Sequence, residues 1–199
     1  MARGIRDPQV LKAMRAVDRA DFVPKKFLAQ AYDDRPLPIG YQQTISQPYI
    51  VAYMAEQLQL SAKDRVLEIG TGCGYNAAVI SRIVQTVYSI EIIEDLADIA
   101  RENLSRGNYP NLHLGVGDGY KGFPQEAPFD AIILTAAPAV IPDPLKQQLS
   151  INGRLLAPIG TAVQDLVLIT RSSIDEFKEE HLLAVNFVPM TGKAQSGRS

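Results

Sequence analysis

A chain of 199 residues, 46% hydrophobic and 21% charged, suits one soluble globular domain with a single sizeable core. Its net charge of −2 argues against a chain built mainly to bind nucleic acid, and its one cysteine excludes an internal disulfide framework and suits a reducing compartment. No apolar run approaches the roughly 18 residues of a membrane span, no signal peptide opens the chain, and the isolated His113 and His181 offer no metal cluster, so a cytoplasmic, metal-free protein off the membrane is expected; a monomer is the default, which the sequence does not itself report.

In chain order, Asp7-Pro8 predicts a helix start, with Asp as cap and Pro in the first turn. Val10, Leu11, Met14 and Val17 then form an apolar stripe. Asp21-Phe22-Val23-Pro24 breaks that run, and a second short helix is expected from Lys25 to Tyr32. Residues 33–40 are too proline-rich for regular structure and are expected to be extended. Tyr41 to Pro48 is a polar stretch ahead of a helix whose apolar positions include Ile50, Met54 and Leu58. Ser46 or Gln47 reads there equally well as a helix cap or as a ligand-facing group.

From Arg65 onward the pattern alternates. Strands are predicted at 65–69, 86–90, 111–116 and 130–134, separated by helices near 76–83, 94–106 and 142–149. That rhythm implies a parallel sheet covered on both faces. Strands at 154–158, 165–171 and 182–187 then follow with turns between the last two, which predicts a closing antiparallel hairpin. The fold class expected is α/β: a doubly wound, mostly parallel Rossmann-like sheet with an antiparallel C-terminal edge hairpin and an N-terminal helical segment on the substrate side. Residues 1–60 would form that segment and 61–199 the core of one domain. The turn-prone pair Asn152-Gly153 is open to deamidation, and the polar tail from Thr191 to Ser199 is expected to fray.

The informative stretch is Val66 to Asn76, where a β-branched run breaks into Gly70, Gly72 and Gly74 and a helix-capable segment follows. Glycines there let the backbone lie flat against a ligand. The spacing lacks the third glycine of dinucleotide-binding loops, and Glu68 just before the loop would repel a pyrophosphate while attracting an amine or a sulfonium. Glu91 ends the next strand, where an acid accepts both ribose hydroxyls, and Asp118 with Gly119 closes a third, within reach of an adenine amine. Three acids after three successive strands suit S-adenosylmethionine and fit a phosphate-rich cofactor poorly. Cys73 reads first as a small residue that fits a tight loop.

Taken together, Phe22-Val23-Pro24, Pro36 to Gly40, Gln43-Thr44-Ile45-Ser46-Gln47-Pro48-Tyr49, the Glu68-to-Tyr75 loop, Thr135-Ala136-Ala137-Pro138, Gly153-Arg154-Leu155 and Phe187-Val188-Pro189 resemble the protein-L-isoaspartate O-methyltransferase family over nearly the whole chain. The resemblance implies that Ser46 is the active-site residue beside methyl donor and substrate carboxylate, and that Thr44 and Ile45 line the cofactor. It further implies Glu91 on the ribose, Asp118 and Gly119 on the adenine, the backbone around Val188 on the substrate peptide, and Thr191 closing the pocket. The reaction implied is methylation of an isoaspartyl (or D-aspartyl) carboxylate in damaged proteins, the start of protein repair. Three departures stand out. Gln42 occupies the position where the family has glycine, a leading amphipathic helix is missing, and the tail lacks the aromatic residue many members carry.

The chemistry agrees with that resemblance. A carboxylate acceptor ordinarily titrates at about 3.3–3.7 and is already ionised at neutral pH, whereas an amine near pKa 10.4 would need a base. The loop around Ser46 supplies no His, Lys or acid. A nucleic-acid or small-metabolite methyltransferase is the alternative enzyme, but Thr135-Ala136-Ala137-Pro138 lacks the Asp/Asn of amino-methylating enzymes, and Cys73 is misplaced for cytosine chemistry. A silent module that recognises damaged peptide ends is the alternative of another class.

Overall fold

The computed structural model describes residues 4–196. Asp7 caps α1 (Pro8–Ala16) by accepting from the N–H groups of Gln9 and Val10, and the stripe Val10, Met14, Val17 is buried. A 3₁₀ turn over Arg19–Phe22 follows, and the segment expected as a second helix is a 3₁₀ turn over Lys25–Gln30. The proline-rich stretch supplies β1 (Leu37–Gly40), which pairs antiparallel with β2 (Gln43–Ile45). Gly40, Tyr41 and Gln42 make the bend, at φ 101°, 51° and 59°. Gln42 therefore holds the left-handed conformation that glycine adopts freely; the bend is kept at about 1–2 kcal/mol of strain. α2 (Pro48–Gln57) begins at Gln47 with no side-chain cap bond, so Ser46 is not spent on capping.

The main sheet comprises β3 (Arg65–Ile69), β4 (Thr86–Glu91), β5 (Leu112–Val116), β6 (Phe129–Leu134), β7 (Leu149–Gly160), β8 (Gln164–Arg171) and β9 (Phe177–Val185). Its order is β5-β4-β3-β6-β7-β8-β9; the first five run parallel, β8 pairs antiparallel with β7, and β9 pairs antiparallel with β8. α3 (Tyr75–Ser81), α4 (Glu94–Ser105) and α5 (Asp143–Gln147) lie in the crossovers. The chain runs outward from β3 to β5 and returns to β6 on β3's other side, and that reversal opens a crevice beyond the carboxyl ends of β3 and β6.

Side chains alternate between two cores. Val66, Val87, Ala131, Ile133 and Leu156 face α1, α2 and α3, while Leu67, Ile90, Ile132, Leu134 and Leu155 face α5. Both faces of β3 are covered, so Val66 to Ile69 are all buried.

Three boundaries differ from expectation. β7 starts at Leu149, because Asn152 takes φ 66° inside the strand and makes an irregularity in place of the expected turn. That early start shortens α5. β9 spans Phe177–Val185 because an exposed edge strand carries charge, here Lys178 to His181, and shows no hydrophobic alternation to read.

Candidate active site

The crevice is built around the loop after β3. Gly70, Gly72 and Gly74 all have positive φ, at 97°, 56° and 90°. A Cβ on Gly70 would press into the Thr135 hydroxyl, which itself donates to the Gly70 carbonyl at 2.5 Å. This locks the loop to the end of β6. Gly74 has a different task. A Cβ there would press on Leu104 and Ala100 of α4, so its lack of a side chain serves the contact with that helix. The Cys73 carbonyl accepts from Asn103 Nδ2 at 3.0 Å, a further tether from α4.

Burial pushes the Cys73 thiol up to about 12. Relative to its ordinary value of 9.0, the thiolate fraction at neutral pH falls about 1000-fold. Iodoacetamide should therefore modify native Cys73 at least about 100-fold more slowly than the urea-unfolded chain, and comparable rates would show an accessible thiol.

The three acids expected to ring the ligand separate into two kinds. Glu68 is fully buried beneath the loop, whereas the sequence reading has it facing the ligand. The physical reason is its place on the central strand: its side chain lies on the α3 face, where Asn76 Nδ2 donates to it at 2.7 Å and the Ser89 hydroxyl donates to its other oxygen. The Thr71 hydroxyl lies 2.6 Å from Ser89 and completes a buried polar chain. Burial raises the Glu68 carboxyl to about 7, against the lowering effect of these hydrogen bonds.

The sign follows from linkage. Between about 4.5 and about 7 the folded state keeps a proton that the unfolded chain has lost, so stability falls as pH rises through that window. The drop is on the order of 3 kcal/mol and persists above the window. Urea titrations of Glu68→Gln should show a flatter stability profile between about pH 5 and pH 7 than the parent; parallel profiles would remove Glu68 as the source.

Glu91 and Asp118 do line the crevice, in a slot shared with Gln43, Ile69, Gly119 and Thr191. Glu91 accepts from the Gly72 N–H at 2.8 Å and from the Ile93 N–H at 3.0 Å, one per carboxylate oxygen, with acceptor capacity left on each. Asp118 accepts from Tyr120 N–H at 2.9 Å and, through its second oxygen, from Lys193 N–H at 2.8 Å. The C-terminal tail is thereby fastened over this slot, with Thr191 in its wall. The last part of the tail expected to fray, residues 197–199, lies outside the described residues.

On the other side of the loop, Thr44, Ile45 and Ser46 face Gly70, Gly72 and Cys73 across a second slot. Beyond it opens a larger cleft of about 460 Å³ lined by Pro36, Ile50, Asn186, Phe187 and Val188 among others. Thr44, Ser46 and Thr135 belong to both. Ser46 thus stands at the junction of a slot walled by the glycine loop and a cleft walled by the end of β9. Its hydroxyl has no hydrogen-bond partner among the described residues, while its carbonyl accepts from Arg19 at 3.1 Å. Among the described residues no acid, histidine, lysine or arginine lines the larger cleft.

Arg19 is not legible in the sequence as a site residue. Its guanidinium is buried and donates to the carbonyls of Ala31, Arg35 and Ser46, pinning both ends of the hairpin that carries Ser46. Gln43, Asn76 and Thr135 also enter the site; each sits in a stretch the sequence singles out, but none is marked there as a site residue.

Comparison with known proteins settles the family. The profile of the protein-L-isoaspartate(D-aspartate) O-methyltransferases matches residues 1–195. The chain belongs to the protein-L-isoaspartate O-methyltransferase family. Among relatives in that family, protein-L-isoaspartate O-methyltransferase 2 of Pelobacter propionicus is 53% identical over 194 residues, covering 96% of this chain and 86% of the relative. Protein-L-isoaspartate O-methyltransferase 1 of Geotalea uraniireducens is 55% identical over 196 residues, covering 98% and 90%. A solved protein-L-isoaspartate O-methyltransferase superposes with TM-score 0.88 at 31% identity over 96% of this chain, which spans 63% of that longer chain. A putative protein-L-isoaspartate O-methyltransferase of Plasmodium falciparum, solved with S-adenosyl-L-homocysteine, gives TM-score 0.84 at 27% identity, covering 95% and 93%. The mostly parallel sheet with antiparallel C-terminal strands is therefore the family's fold.

Proposed function

We infer that this protein is a protein-L-isoaspartate O-methyltransferase, transferring the methyl group of S-adenosyl-L-methionine to the free carboxylate of isoaspartyl residues in damaged proteins. The observation that carries the mechanism is the position of Ser46, unpartnered where the slot beside the glycine loop meets the larger cleft.

The residues fit the donor. Glu91 keeps acceptor capacity for ribose hydroxyls, Asp118 and Gly119 stand at the far end for the adenine, and Thr44, Ile45, Gly70, Gly72 and Cys73 wall the methionine side. When bound, S-adenosylmethionine supplies an electrophilic methyl group on a cationic sulfur. The two slots are narrow, about 40 Å³ each, and flank the glycine loop on either side. The glycine loop is tethered by Glu91, Asn103 and Thr135, and the tail by Ala137 on Met190 and Asp118 on Lys193.

The chain's own work is alignment. The free edge at Asn186 and Val188 holds the substrate backbone, and the Ser46 hydroxyl donates to one carboxylate oxygen and aims the other at the methyl carbon. Holding oxygen, carbon and sulfur in line supplies several kcal/mol of effective molarity. No proton has to be removed, which agrees with a cleft that carries no base among the described residues. Among the described residues no helix is long and apolar enough to cross a membrane. We further propose that the enzyme acts in the cytoplasm as a monomer, with isoaspartyl proteins rather than nucleic acid as partners.

Labelled methyl transfer tests this function. An isoaspartyl peptide should gain a base-labile methyl ester while its aspartyl isomer gains none. Equal labelling of both isomers, or a base-stable product, would overturn it.

A further inference from the structure

The backbone that follows β9 is held by a side chain where a strand would normally hold it. β9 leaves β8 at Val185, whose ladder partner is Gln164. One pairing step further, the Gln164 carboxamide takes over: its Oε1 accepts from Phe187 N–H at 2.6 Å and its Nε2 donates to the Phe187 carbonyl at 3.0 Å. A primary amide has the same donor–acceptor pair as a peptide group, so Gln164 extends the sheet by one surrogate rung. Only 6% of Gln164 is exposed, so these two bonds are its side chain's use. Beyond it, Ala137 donates to the Val188 carbonyl at 2.8 Å and accepts from Met190 N–H at 2.8 Å.

The consequence is directional. In an extended chain the N–H and C=O of successive residues point to opposite sides. With both Phe187 groups turned onto Gln164, those of Asn186 and the N–H of Val188 face away from it, and none of the three has a hydrogen-bond partner among the described residues. Asn186 and Val188 line the 460 Å³ cleft that also contains Ser46. A strand edge with these three groups unpaired beside the reacting hydroxyl is the geometry that captures an extended peptide by backbone hydrogen bonds.

We propose that Gln164 is the positioning residue for substrate peptide: by pinning Phe187 it presents the edge at Asn186 and Val188 in register with Ser46. The proposal rests on the isoaspartyl methyltransferase reading above. It predicts an effect on peptide affinity and none on the methyl donor, because Gln164 touches neither the glycine loop nor the slot of Glu91 and Asp118.

The test compares the parent with Gln164→Leu and the nearly isosteric Gln164→Glu. An isoaspartyl hexapeptide serves as acceptor, and calorimetry with S-adenosylhomocysteine reports on the donor site. Gln164→Leu should raise the hexapeptide KM about tenfold or more, with kcat and S-adenosylhomocysteine affinity within about twofold. In Gln164→Glu the carboxylate accepts from Phe187 N–H but repels the Phe187 carbonyl until it is protonated. Its KM should be raised at about pH 8 and move back towards the parent value as pH falls through about 6, a recovery that loss of packing would not produce. An unchanged KM in both variants of an active parent would overturn the role of Gln164 alone. So would a parallel loss of donor affinity, or a Gln164→Glu defect that ignores pH. A parent that binds the donor product yet methylates no isoaspartyl peptide would sink the functional reading first and this inference with it.

Discussion

Ser46→Ala should lower kcat on an isoaspartyl peptide at least about 100-fold while S-adenosylhomocysteine binds within about twofold of the parent. The size is that seen when one preorganised donor is removed from a transition state, about 10²–10³. Folding should be nearly untouched, because the Ser46 hydroxyl has no partner among the described residues to lose. The hairpin that carries it is held through backbone, by Arg19 on the Ser46 carbonyl, and the substitution leaves that bond in place. Steady-state kinetics and calorimetry on one preparation decide the matter. Parent-like kcat would remove Ser46 from the reaction, and lost donor binding would make it a cofactor residue instead.

Glu91→Ala should act on the opposite half of the site, weakening S-adenosylhomocysteine binding by about 100-fold or more. Two effects add. The acceptor for the ribose hydroxyls disappears, and the Gly72 and Ile93 N–H groups lose the carboxylate that fixes the loop's curvature. Each part-buried donor left without a partner costs up to about 1–3 kcal/mol, so a fall in melting temperature of several degrees should accompany the loss. Glu91→Gln separates the two effects only in part, since its amide nitrogen would confront one of those N–H groups with a second donor. Donor affinity close to the parent's in Glu91→Ala would mean that the ribose lies elsewhere.

The two variants divide the site along the line the architecture draws. Ser46 belongs to the hairpin before the sheet, Glu91 to the carboxyl edge of the sheet, and the glycine loop lies between them. Local signals make the second of these visible in the sequence. A β-branched run ending in alternate glycines needs no partner to be recognised, and the acids at 91 and 118 follow from strand ends that alternation already marks. Ser46 is open between cap and ligand group on its residues alone, and the family resemblance decides for the ligand. In the structure no side chain caps α2.

What is not legible depends on distance along the chain. Arg19 reads as one more charged residue of the N-terminal segment until the fold brings the carbonyls of residues 31, 35 and 46 around it. Gln164 reads as a polar residue at a strand start until Phe187 arrives beside it. Glu68 shows the opposite case. Its spacing before the glycines suggests a group facing the ligand, but strand alternation turns it inward to Asn76 and Ser89. Gly74 likewise shares the spacing of Gly70 and Gly72 yet serves the contact with α4. Spacing along a loop reports conformation; it does not say which atoms lie on the far side.

A co-crystal with S-adenosylhomocysteine and an isoaspartyl peptide bears most directly on the claim that donor and acceptor meet at Ser46. The expected result is a peptide carboxylate about 3 Å from Ser46 Oγ, with its other oxygen directed at the sulfur and the peptide backbone paired with Asn186 and Val188. A carboxylate seated away from Ser46, or a peptide that occupies the Glu91–Asp118 slot, would contradict it.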